Sequence, residues 1–118
     1  MNNTELLKGT LSTLILHFLS EHKRLYGYEI TQMVKERSQN KILLKEGSLY
    51  PALHKLEAEG LVISEEVFIG KRVRRYYKLT NSGKKATRTY LNELSAFLKT
   101  IENLILPFPK IYEPSTGT

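Results

Sequence analysis

A chain of 118 residues has room for one hydrophobic core with an appended helix, and not for two independent domains. With 41% hydrophobic and 25% charged residues it is not a wholly disordered polymer, and the absence of cysteine excludes disulfides, thiolate metal sites and cysteine nucleophiles together. Eighteen Lys and Arg against twelve Asp and Glu leave a net charge of +6.

That excess is local. Eight basic residues (Lys71, Arg72, Arg74, Arg75, Lys78, Lys84, Lys85, Arg88) and no acidic one lie between Val67 and Asn92, while the rest of the chain carries ten basic against twelve acidic residues. Such a run favours a polyanionic partner; a solvated face that only aids solubility is the alternative. The opening MNNTELLKGTLSTLILHFL has Lys8 within it and no small-residue cleavage pattern, so it does not read as a secretory signal. No stretch approaches the roughly 18 apolar residues that span a bilayer, and a cytoplasmic protein without a membrane partner is expected.

From Thr4 to about Glu21, Leu7, Leu11, Leu14, Ile15 and Phe18 recur three and four apart, which predicts one amphipathic helix. HKRLYGY then reads as a short polar connection, and Ile30, Met33 and Val34 predict a second helix from about Tyr28 to Ser38. Ile42, Leu43 and Leu44 suggest a short strand. Pro51 is tolerated in a first helical turn, which puts the N-cap of a third helix at about Ser48; Leu49, Ala52, Leu53 and Leu56 form its buried stripe and Tyr50, His54, Lys55 and Glu57 face outward. Gly60 is placed to end this helix in the left-handed conformation.

Two strands, about Leu61 to Ile69 and Val73 to Leu79, are joined at Gly70-Lys71-Arg72 as a hairpin. Thr80 caps the longest helix, which runs to about Leu106, where Pro107 and Pro109 stop it; Gly83 costs it some propensity. The expected division is therefore 1–80 for a compact domain of short helices and a hairpin, 81–106 for a C-terminal helix and 107–118 for a flexible tail.

Three short helices followed by a basic two-stranded hairpin is the order of a winged helix-turn-helix, a mainly α fold with a small β-hairpin wing, whose third helix enters the major groove. Short polar residues on the outward, N-terminal part of that helix are what groove reading needs, and Ser48, Tyr50, His54 and Lys55 lie there. Lys71, Arg72, Arg74 and Arg75 supply four cations in five residues for phosphate contact. Tyr50 as a surface-packed aromatic, Tyr77 as a core residue and Arg75 as an ion-pair partner are the blander readings.

The strings LLKGTLSTLIL, YGYEI, GSLYPALHKLEAEGL and RRYYKLTNSGK resemble the PadR-like transcription regulators from about Leu6 to Gly83. The resemblance implies a dimeric repressor whose third helix reads DNA, whose wing contacts the backbone and whose last helix completes the dimer with the first. It assigns the family's Tyr-Pro pair to Tyr50 and Pro51, its helix-opening hydroxyl to Ser48 and its wing pair to Tyr76 and Tyr77. It also implies a small hydrophobic or aromatic effector, for which no residue is fixed. Where the family often carries an acid after the KGTL string, Ser12 and Thr13 follow Leu11 here.

The expected dimer surface comprises Tyr90, Leu94, Phe97, Leu98, Ile101 and Leu104, because the stripe of the last helix is too broad for a solvated one, and, as the resemblance implies for the first helix, Leu7 and Leu11. No cofactor or metal is expected: His17 and His22 are five apart, off the i, i+4 pairing, and no motif joins them to His54. Nor is there a phosphate-cradling glycine loop or a nucleophile elbow, so the chain does not read as an enzyme. The expected function is a sequence-specific transcription regulator, a repressor released by a small effector and bound to a palindromic operator as a homodimer. The alternative is a winged-helix module for protein interaction or RNA binding.

Overall fold

The N-terminal apolar stripe is realised in two helices, α1 (Asn3–Lys8) and α2 (Leu11–Ser20), in a computed structural model that describes residues 3–107. The single helix expected here is broken at Gly9 and Thr10, where both the amide and the hydroxyl of Thr10 donate to the Leu7 carbonyl, at 2.8 and 2.9 Å. Leu7 and Leu11, on either side of this turn, are both buried in the core.

The connection after α2 is not merely polar: it contains strand β1 (Leu25–Tyr26), which leads directly into α3 (Gly27–Arg37). Glu29 accepts from the Tyr26 amide at 3.1 Å and so satisfies a donor at the start of α3. The strand expected at Ile42 to Leu44 does not form. Gln39 and Asn40 take positive φ, and the Ile42 amide donates to the Ser38 hydroxyl at 3.0 Å, so this segment is held as a loop with Leu44 buried. The sheet edge it would need is taken by β1.

Helix α4 (Glu46–Ala58) starts earlier than Pro51 suggested, with Lys45 as its extended N-cap and Ser48 inside the first turn. The Ser48 and Leu49 amides both donate to the Lys45 carbonyl at 3.0 Å. Pro51 therefore sits in the second turn, where it has no N–H to donate to the Gly47 carbonyl; both residues are exposed, which leaves that carbonyl open to solvent. At the other end Gly60, with φ +75°, lets the Leu61 amide return to the Leu56 carbonyl at 3.0 Å, as expected for a left-handed terminator.

Strands β2 (Val62–Ile69) and β3 (Arg72–Leu79) pair antiparallel across a two-residue Gly70-Lys71 loop in which Gly70 takes φ +63°. The sheet order is β1-β3-β2, with Leu25 opposite Tyr77 and Tyr26 opposite Tyr76. Ile15, Leu16 and Leu19 of α2 and Leu49, Leu53 and Leu56 of α4 form the centre of the core, closed by Ile30, Val62 and Tyr77. The Tyr77 hydroxyl is buried without a hydrogen-bond partner among the described residues, and burial raises its pKa above that of an ordinary phenol.

Thr80 caps α5 (Asn81–Ile105) by accepting from the Gly83 amide at 3.0 Å, while its own hydroxyl donates to the Gly60 carbonyl at 2.7 Å. The first turns of α5 pack on the domain through Gly83, Ala86, Thr87 and Tyr90. Beyond Leu94 the helix leaves the core, which stretches the molecule to 56 Å in its long dimension against 30 and 21 Å in the others. Residues 108–118 of the expected tail, Pro109 among them, lie outside the described residues.

Candidate nucleic-acid interface

Burial of Leu49, Leu53 and Leu56 fixes the rotation of α4. At about 100° per residue the opposite face carries Gly47, Pro51, His54 and Lys55, all exposed. Half-buried Ser48 and Tyr50 flank that face on its two sides. Ser48, Pro51 and Lys55 border a groove of about 540 Å³ shared with Leu7, Leu11 and Leu44.

Tyr50 leans the other way, onto the start of α3. A Cβ at Gly27 would lie 2.6 Å from the Tyr50 hydroxyl, so glycine is what lets the ring pack there. The ring also lies 6.4 Å from that of His54. Tyr50 and Glu57 are thus less outward than their spacing implied: Glu57 accepts from the Ser64 hydroxyl of β2 at 2.6 Å, which ties the helix to the hairpin.

At the hairpin tip Lys71 and Arg72 are exposed, and among the described residues neither forms an ion pair. Arg74 is placed differently. Its guanidinium lies 4.1 Å above the Tyr26 ring and donates to the Tyr76 hydroxyl at 3.3 Å, a hydrogen bond that raises its already high pKa. Arg24 repeats the arrangement over Tyr76, at 4.1 Å, and donates to Glu65 at 2.8 Å, which lowers the carboxyl below its ordinary range. Arg75 pairs with Glu66 at 2.6 Å. Two of the four wing cations therefore brace the hairpin, and two are left for a ligand. The Arg24 and Tyr26 part of this cluster escaped the sequence reading, because only the pairing of β1 with β3 brings them to the wing.

The remaining cations of the basic run are elsewhere. Lys78, Lys84 and Arg88 join His22 and Lys23 around an open cleft of about 920 Å³ between the end of α2, the end of β3 and the first turns of α5. Six residue steps along β3 separate Arg72 from Lys78, about 20 Å. One charge excess in sequence is two patches in space. Glu21, on the rim of that cleft, is engaged by Arg37 at 2.9 Å, and this hydrogen bond lowers its pKa. His17 lies 3.9 Å from Glu21, and no group of three or more potential metal ligands occurs among the described residues.

Along α5, Tyr90 and Leu94 are half-buried, whereas Phe97, Leu98, Ile101 and Leu104 are exposed, Leu104 to 76%. Leu7 and Leu11 lie in the subunit's own core. No helix of the described residues is long and apolar enough to cross a membrane.

These features have counterparts in known proteins. The chain is 38% identical over 84 residues to a transcriptional regulator of Mycobacterium tuberculosis, covering 69% of this chain and 75% of that one. A transcriptional regulator from Clostridium thermocellum superposes with a TM-score of 0.78 at 29% identity, over 86% of this chain and 98% of that one. PadR of Bacillus subtilis, solved in complex with operator DNA, superposes with a TM-score of 0.63 at 32% identity, over 70% of this chain and 45% of that one. The model of the transcriptional regulator PadR-like family matches residues 15–89, from the middle of α2 to the early turns of α5. With the winged-helix architecture and a family match over more than half its length, the chain belongs to the PadR-like family of transcriptional regulators.

Proposed function

We propose that the chain is a cytoplasmic, sequence-specific DNA-binding repressor that acts as a homodimer on a palindromic operator and is released by a small hydrophobic or aromatic effector. The observation that carries the DNA reading is a juxtaposition. A cleft of about 380 Å³ lined by Tyr50, Arg72, Val73 and Arg74 joins the recognition helix to the wing, so that base-reading and phosphate-binding groups address one ligand. Ser48, Tyr50, Pro51, His54 and Lys55 face the major groove in this reading, and Lys71 and Arg72 the adjacent backbone, while Arg74, which the sequence also offers for phosphate contact, is held on Tyr26 and Tyr76 and braces the wing that presents them. The operator complex of the Bacillus subtilis relative supports it.

The test is selection of bound fragments from the source genome, followed by affinity measurements on a selected duplex and on random DNA at several salt concentrations. The expected preference is at least about a thousandfold. Replacing Lys71 and Arg72 with Ala should weaken both duplexes alike and flatten the logarithmic salt dependence by about one for each cation removed. Equal affinity for selected and random DNA would instead favour an interaction or RNA-binding module.

A further inference from the structure

The wing carries an apolar pair that the fold does not use. Phe68 is 74% exposed, and its cross-strand partner Val73 is 50% exposed. Side-chain alternation puts both on the hairpin face that carries Val62, Ser64, Tyr77 and Leu79, which is the face that meets α4 through the Ser64–Glu57 hydrogen bond. Four residues beyond Ser64, about 13 Å further out, that face has passed the end of its own domain. Val73 there shares the cleft that contains Tyr50 of the recognition helix.

Single exposed apolar residues are ordinary, but this one belongs to a cross-strand pair next to Lys71 and Arg72, two cations without ion pairs among the described residues. A flat apolar ring bordered by free cations is complementary to a polyanion with a stacked apolar interior, which is the minor groove of a duplex with its base steps. Phe side chains inserted at such steps unstack and kink DNA.

We propose that Phe68, backed by Val73, is an apolar wedge that enters the minor groove beside the recognition-helix site and bends the duplex there. The proposal rests on the DNA-binding reading above and adds to it a residue and a mode of contact.

The experiment uses the full chain and a selected operator duplex labelled at both ends, so that affinity and the end-to-end distance are read together by energy transfer. Phe68→Ala should weaken specific binding roughly ten- to a hundredfold. It should also lengthen the end-to-end distance and leave the salt slope unchanged, since an apolar contact releases no counterions. Phe68→Leu should retain most of the bend, and the thermal stability of both free variants should match the unsubstituted chain. A Phe68→Ala variant that binds and bends as before overturns the wedge while leaving the DNA reading intact; failure of the unsubstituted chain to prefer any duplex overturns both. Loss of dimer in the free Phe68→Ala protein, or Phe68-dependent partition onto phosphatidylglycerol vesicles without any effect on DNA bending, would assign the pair to another surface and overturn it as well.

Discussion

Gly83 shows how a single residue can be misjudged from propensity. In an isolated helix Gly83→Ala would stabilise by up to about 1 kcal/mol. Here the added Cβ would collide with the Leu61 carbonyl oxygen, a backbone atom already fixed by the Thr80 amide at 3.1 Å. Overpacking of this kind costs roughly 1–3 kcal/mol, so the sign reverses, and denaturant unfolding of Gly83→Ala should show a net loss of stability. Glu65 gives a second expectation at this scale. Its carboxyl is held below the ordinary value by the hydrogen bond from Arg24, so the pair stabilises the fold above the unfolded-state pKa and ceases to do so as pH falls through the folded one. Thermal unfolding of the unsubstituted chain and of Glu65→Gln should therefore differ near neutral pH and converge only once the pH has fallen below the ordinary carboxylate range and through the lowered folded-state pKa.

Helix α4, the proposed recognition helix, separates packing from contact along its own length. Leu53 is fully buried, and Leu53→Ala should cost about 2–5 kcal/mol in an unfolding titration. Lys55 is exposed, and Lys55→Ala should leave stability unchanged while reducing duplex affinity. Tyr50 falls between the two: truncation should disturb both readouts, because the ring that borders the wing cleft also packs against Gly27. The hairpin divides likewise. Arg74 and Arg75 are held by Tyr26, Tyr76 and Glu66, so their replacement should loosen the wing, whereas Lys71 and Arg72 stand at its tip.

At the scale of the molecule, α5 is a 25-residue helix whose first turns belong to the domain and whose last turns are exposed, with no core packing among the described residues. A helix of that length extends about 37 Å, comparable with the roughly 34 Å that separates successive major grooves. In the proposed dimer the stripe of Leu94, Phe97, Leu98, Ile101 and Leu104 pairs across a two-fold axis, whereas Leu7 and Leu11 are buried in the core of the chain itself. Replacing Leu94 and Ile101 with Glu should leave helical monomers that bind a palindromic duplex much more weakly, each substitution acting once in each subunit. Sedimentation equilibrium with duplex titration checks this; a dimer of unchanged affinity would show that the stripe is not the interface.

Much of this architecture is legible in the residues themselves, because helices and hairpins announce themselves through local chemistry. The 3.6-residue spacing of Leu49, Leu53 and Leu56, the hydroxyl of Thr80, the left-handed Gly60 and the Gly70 turn each act within a few residues, and each stands where the sequence puts it. What only the tertiary structure decided involves segments far apart in the chain. Leu25 and Tyr26 become a strand because Tyr76 and Tyr77 offer them an edge, and the Ile42–Leu44 segment, without such an edge, stays a loop. The same pairing ties Arg74 down on Tyr26, and the length of β3 parts one basic run into a wing tip and a distant cleft. Long-range pairing determines which cations are spent on the fold and which remain for a ligand, and no local pattern encodes that division.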